Sequence, residues 1–288
     1  MDQVSSVTTA VLRRAAVSAA VVAVAAVATA ATAGASWAVI AVEVSDGEIG
    51  YAVAGCGELP ATALSAGGVV VIDGADDEDA AGLLERLADG ADPETVLRDA
   101  GDDVVAGAVA GSGRGAAVGR ASSDAGRRAT ADGRLVVIGT DLDDTAVLDR
   151  AVDAFVERGD LRLGDRLLRA LEAGSAAGGD ARCSTDDVTQ TADRARLAIA
   201  GGDGVLEVEA REGALGANAL VGLRDDYEAE REARYGACED CDLGAIDVPE
   251  GDVPGTSRRI ASFIFTFGTL IVFLVIYRRW RTGLDDDD

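Results

Sequence analysis

The chain has 288 residues, and 51 Asp plus Glu against 26 Lys plus Arg leave a net charge of −25 and a pI near 4.2. Every cation is Arg; Lys and His are absent, which excludes Ser-His-Asp and Cys-His catalysis, His-ligated zinc, Schiff-base lysines and a P-loop lysine. The acidic excess also excludes a nucleic-acid partner, because phosphate neutralisation needs a basic face.

Dense carboxylates, no Lys and 4% aromatic residues suit a protein adapted to high salt, where hydrated acids keep it soluble and ions screen their repulsion. At 48% hydrophobic the chain can still build a packed core. In chain order, Arg13-Arg14 precede an apolar run from Ala15 to Ala33 that closes in Ala33-Gly34-Ala35 before Ser36. That is the layout of a signal peptide, with an uncleaved N-terminal membrane helix as the alternative for residues 1–35. Trp37–Val44 and Ile49–Gly55 read as two strands of a hairpin around Asp46-Gly47. Gly68–Ile72 is a short buried strand, the acidic run Asp76–Asp79 a solvated surface. Helices are predicted over Asp79–Asp89 and over Pro93–Ala100, the second with Pro in its first turn.

Val104–Ala110, Ala116–Ala121 and Leu135–Gly139 read as strands built of small residues. Gly111-Ser112-Gly113-Arg114-Gly115 lies between two of them, with no helix to offer its N-terminus to a pyrophosphate, so it reads as a glycine-rich hairpin and no cofactor is implied. Asp141-Leu142-Asp143-Asp144 lacks the glycine and closing Glu of an EF-hand loop. Asp143–Arg158 and Leu161–Ala173 carry apolar stripes at helical spacing; Arg196–Ala200 and Val205–Arg211 are strand-like around Gly201–Gly204; Leu220–Tyr235 is a closing helix. The pattern predicts a layered α+β domain over 36–241, sheet packed on sheet with helices outside. A linker follows over 242–259, containing Pro249, Gly251 and Pro254. Residues 260–277 are uncharged, IASFIFTFGTLIVFLVIY, with Arg258-Arg259 before them and Arg278, Arg279 and Arg281 after. This reads as a single transmembrane helix in the bilayer, ectodomain outside, the short acidic tail 278–288 in the cytoplasm.

Four cysteines in an exported domain suggest disulfides. Cys238 and Cys241 form a C-x-x-C pair, which leaves Cys56 and Cys183; three connectivities are open, and a zinc site built from all four cysteines is the alternative. Ser36 carries a different possibility. Cleavage after Ala35 leaves it as the first residue, with a hydroxyl and an α-amine whose pKa of ~8 suits a general base. Nucleophile and base then share one residue.

Ser36-Trp37-Ala38-Val39-Ile40-Ala41-Val42-Glu43, followed by Gly47–Cys56, resembles the opening hairpin of the domain of unknown function 1028 family. The stretches Leu87–Leu97, Leu167–Cys183 and Asn218–Tyr227 are similar to that family in the same order. The resemblance implies a four-layer αββα sandwich of the N-terminal-nucleophile (Ntn) hydrolase type, and an amidohydrolase-type site at the end of the first strand. It implies Ser36 as nucleophile on a small amide or peptide-like substrate, Gly139, Thr140 and Asp180 shaping the pocket, and a Cys56–Cys183 pairing. The chain departs from the family at three polar positions: Ile138-Gly139-Thr140 stands for a Gln-Gly-Asn turn, Val71-Ile72-Asp73-Gly74 for a stretch bearing Gln and Asn, and no Trp-Gly-His turn appears near Asp124–Arg127. These losses support the alternative expectation, a catalytically reduced domain that binds or scaffolds at the cell surface.

Overall fold

A computed structural model describes residues 35–100, 104–119, 124–183, 191–211 and 218–236. The expected leader, linker, membrane span and tail lie outside these residues, as do Cys238 and Cys241. Among the described residues no helix is long and apolar enough to cross a membrane.

The first two strands, β1 (Ala35–Glu43) and β2 (Glu48–Cys56), form the expected hairpin in a register that runs from Glu43 opposite Glu48 to Ala35 opposite Cys56. Three further strands follow: β3 (Ala61–Ser65), β4 (Gly68–Asp73) and β5 (Val105–Ala110). Then come β6 (Gly115–Val118), β7 (Gly126–Ala129) and β8 (Leu135–Gly139), and late in the chain β9 (Arg194–Gly201) and β10 (Gly204–Arg211). They make a six-stranded sheet ordered β10-β9-β2-β1-β8-β7 and a four-stranded sheet ordered β3-β4-β5-β6. All pairings within both are antiparallel.

Five helices complete the described residues: α1 (Asp77–Ala88), α2 (Pro93–Arg98), α3 (Ala146–Glu157), α4 (Leu163–Ala176) and α5 (Ala219–Tyr235). Three apolar clusters show how the layers stack. One joins Trp37, Val39 and Ala41 of β1 to apolar residues of α3, α4 and α5. A second lies between the sheets, where Ala38, Ile40 and Val42 meet Val69 and Val71 of β4 and Val109 of β5. The third packs β4 and β5 against Ala80, Leu87, Val96 and Leu97 of α1 and α2. Strand β1 is therefore buried on both faces, and its side chains alternate between helix layer and inter-sheet seam with the period of two that a strand imposes. Gly107 on β5 lets the sheets close: a Cβ there would stand 2.7 Å from the Ile40 Cδ1.

Some local expectations are corrected. The run Asp76–Asp79 is a helix start as well as an exposed acidic face. The Asp76 carboxylate caps α1 by accepting from the Glu78 and Asp79 N–H groups, each at 3.0 Å, and Asp77 accepts from the Thr62 N–H. Strands β3 and β7 are absent from the periodicity because both are short edge strands with little apolar alternation, and β7 reads Gly-Arg-Arg-Ala. Helix α3 begins at Ala146 rather than Asp143, since Asp144 accepts from the Ala146 N–H at 2.8 Å and ends the preceding turn.

Candidate functional site

Alternation along β1 puts Ser36 on the seam side, in phase with Ala38 and Ile40, and only 3% of it is exposed. Trp37 points the other way, under α4. A Cβ on Gly174 would meet the indole Nε1 at 2.7 Å and one on Gly179, whose φ is +63°, would meet the ring at 3.1 Å. Glycine is thus required at both places, and the glycine-rich end of α4 is the seat for the Trp37 ring. The indole N–H has no hydrogen-bond partner among the described residues. Packing holds this ring, and the ring fixes the direction in which its neighbour Ser36 faces.

Across the six-stranded sheet one row runs through Ser36. Gly55 is its partner on β2, Arg194 on β9 is the partner of Gly55, and Arg211 on β10 is the partner of Arg194. On the other flank Gly139 pairs with Trp37, and the next residue, Thr140, donates its N–H to the Ser36 carbonyl at 2.9 Å. Directly opposed residues share a face, so this row looks into the end of the seam.

The facing sheet contributes Asp73, in phase with Val69 and Val71 at the end of β4. The Thr140 hydroxyl donates to the Asp73 Oδ2, a side-chain bond that bridges the two sheets beside Ser36. Burial pushes the Asp73 carboxyl up to about 6, the Thr140 hydrogen bond opposes that rise, and the negative charges of Asp141 and Asp180 add to it. Asp141, next to Thr140, has φ +48°, the left-handed region, where an L residue is held only by surrounding contacts.

Asp180 is fully buried and its carboxylate is spoken for. It accepts from the Cys56 N–H at 2.9 Å and from the Arg182 N–H at 2.9 Å, and the Arg182 guanidinium reaches it at 3.1 Å. The same guanidinium donates to the Cys56 carbonyl at 2.7 Å. Cys56 and Cys183 are joined in a disulfide with their Cα atoms 5.6 Å apart, so the sulfurs near Asp180 offer no thiolate to a metal and a four-cysteine zinc site is excluded. Asp180, Arg182 and the disulfide form one brace that ties the end of β2 to the turn after α4.

The four residues expected in the site, Ser36, Gly139, Thr140 and Asp180, thus gather at one end of the seam. Asp73, Arg182 and Arg194 join them without having been singled out. Asp73 had a readable signal, a carboxylate in phase with the apolar face of a buried strand. Arg194 had none, because its place beside Gly55 comes from a pairing 139 residues apart in sequence. Beyond Arg194 lies a cleft of about 360 Å³ between the β2–β3 and β4–α1 connections. A hollow of about 450 Å³ lies at the opposite, hairpin end around Asp46, Glu48, Arg162 and Tyr235, where none of the expected site residues lies.

Two stacked antiparallel sheets with helices on their outer faces, and a polar cluster where the central strand begins, define a mixed α+β domain with one candidate site at the mouth of the seam. Residues 36–192 match the family described as "Family of unknown function (DUF1028)", and the chain belongs to it. The match begins at Ser36. A crystal structure of a Silicibacter pomeroyi protein of the same family is similar in fold: 22% identity, a TM-score of 0.57, covering 68% of this chain and 86% of that one. No curated protein matches the chain.

Proposed function

We propose that this is an exported, membrane-anchored amidohydrolase of the Ntn type, in which Ser36 becomes the first residue of the mature chain. The observation that carries this reading is the position of Ser36 at the head of a doubly buried central strand, facing the seam beside the Thr140–Asp73 pair. The four-layer helix–sheet–sheet–helix order supports the Ntn assignment, and the Ala33-Gly34-Ala35 junction and the flanked apolar run 260–277 support export and anchoring.

In the proposed reaction the Ser36 Oγ attacks the amide carbon while its α-amine takes the hydroxyl proton. The tetrahedral intermediate collapses, the C–N bond breaks, and the protonated α-amine gives its proton to the leaving amine. A water molecule then attacks the ester with the same amine as base, releasing the carboxylic acid and restoring the hydroxyl. Asp73, ionised above its pKa of about 6, supplies a negative charge that favours the transient ammonium, and Thr140 holds that carboxylate in place. Asp180 acts as a positioning residue through Cys56.

A second reading, a binding module on the same fold, draws on one specific observation. The Thr140 N–H is already given to the Ser36 carbonyl and the Cys56 N–H to Asp180, so these two amides are not free to stabilise an oxyanion, a function worth ~10²–10³ in rate. The test is mass analysis of the N-terminus of the membrane-fraction protein, followed by turnover of amide and acyl-amino-acid libraries at molar salt. Hydrolysis with a Ser36 N-terminus, abolished in Ser36→Ala, is the expected result. An intact leader, or equal turnover in Ser36→Ala, overturns the hydrolase reading and leaves the binding one.

A further inference from the structure

The row that carries Ser36 continues into the cleft of about 360 Å³ lined by Glu58, Pro60, Asp76, Arg194, Arg196 and Arg211, among others. In a chain with nearly two acids for every Arg, the arginines of a cleft are normally neutralised, and here two of the three are. Glu209 accepts from Arg196 at 2.9 Å and forms an ion pair with Arg211 at 3.4 Å. Arg194, between them on the same face, has no carboxylate within ion-pair distance among the described residues, although it is only partly exposed. The acids nearby are committed elsewhere: Asp76 caps α1 and Asp77 accepts from the Thr62 N–H. Glu58 is exposed at the rim.

Between Arg194 and Ser36 stands only Gly55, which has no side chain. Two strand spacings of ~4.8 Å separate the Ser36 and Arg194 backbones, and both residues belong to one row on the same face of the sheet.

We propose that Arg194 is the carboxylate-binding residue of a subsite in this cleft, and that the ligand of the Ser36 site is an amide carrying one carboxylate, such as an N-acyl amino acid. The inference rests on the Ser36 reading for the position of the amide but not for the binding of the carboxylate. A guanidinium fork matches a carboxylate with two parallel hydrogen bonds. Glu58 and the acidic start of α1 repel a second negative group, so a monocarboxylate is preferred over a dicarboxylate.

The experiment uses the full-length chain carrying Ser36→Ala, so that binding is read without turnover. Calorimetry at one fixed salt concentration compares N-hexanoylglycine, its methyl ester and N-hexanoylglutamate. N-hexanoylglycine is expected to bind about ten- to hundredfold more tightly than the ester, the ratio a charge-assisted hydrogen-bonded pair provides. N-hexanoylglutamate is expected to bind more weakly than N-hexanoylglycine. Adding Arg194→Gln is expected to reduce N-hexanoylglycine to the level of the ester, with Arg194→Lys intermediate and Arg150→Gln, an exposed change on α3, without effect. Equal binding of acid and ester, or an unchanged acid affinity in Arg194→Gln, overturns the proposal. Preferred binding of N-hexanoylglycine that depends on Arg194, in a chain whose wild type fails to hydrolyse it, upholds the subsite and defeats the hydrolase reading alone.

Discussion

Two regions of the molecule bury carboxylates, and they treat them in opposite ways. Under the helix layer, Glu172 on α4 is held by Arg224 of α5 through Nε at 2.7 Å and through a second bond at Nη2. Asp165 accepts from the Tyr227 hydroxyl at 2.9 Å and from Arg231 at 3.3 Å. At the seam mouth, Asp180 is likewise bonded to a guanidinium, whereas Asp73 is hydrogen-bonded by the hydroxyl of Thr140 and feels the Arg182 charge without an ion pair among the described residues. The difference separates acids that hold the fold from one whose burial outweighs its partners. In so acidic a chain the presence of a carboxylate says little, and its partner says a great deal.

Breaking a matched pair has the largest expected effect. Glu172→Ala removes two charge-assisted bonds between α4 and α5, leaving Arg224 only Glu228 at 3.2 Å on its own helix, and is expected to cost about 3–5 kcal/mol in denaturant unfolding at fixed salt. A cost under about 1 kcal/mol would place Glu172 with the surface charges. Asp180→Ala removes the acceptor of the Cys56 N–H and of Arg182, and is expected to cost about 2–4 kcal/mol. It leaves the disulfide and the Arg182 bond to the Cys56 carbonyl to tie the end of β2 to the turn after α4.

Asp73 should respond with the opposite sign. Its folded value of about 6 lies above the ordinary 3.8, so the native state holds the proton more tightly than the unfolded chain. The stability owed to this group is present in full below about pH 4 and is lost as the pH rises through 6. Asp73→Asn is therefore expected to stabilise the domain by about 1–3 kcal/mol at pH 8, with the gain vanishing towards pH 4. Thermal unfolding of both proteins across that range checks it; a gap that is constant with pH would place the effect in packing. Smallest of all is the exposed Arg86–Asp99 pair, 2.7 Å apart, where Arg86→Ala should change stability by less than about 0.5 kcal/mol.

Much of the fold was legible in local pattern. Asp46-Gly47 marked the hairpin, Pro93 the start of α2, and the apolar stripes marked α3 and α4. Edge strands β3 and β7 were not legible, because a strand that buries little need not alternate. In the site, Ser36 was found through its own chemistry and Thr140 through a resemblance. Asp73 carried a local signal that went unused, a carboxylate in phase with the apolar face of β4, whereas Arg194 needed the register of strands far apart in sequence, which no local signal encodes. The acidic run Asp76–Asp79 misled for the converse reason: charge hid a cap that only the N–H groups behind it disclose.

The seat of Ser36 has a last consequence for labelling chemistry. A lysine-free polypeptide has a single primary amine, at Met1 or, after cleavage, at Ser36. An amine-selective acylating reagent therefore adds one group per chain. After cleavage, its rate reports how accessible the Ser36 amine is to a small molecule at the seam mouth.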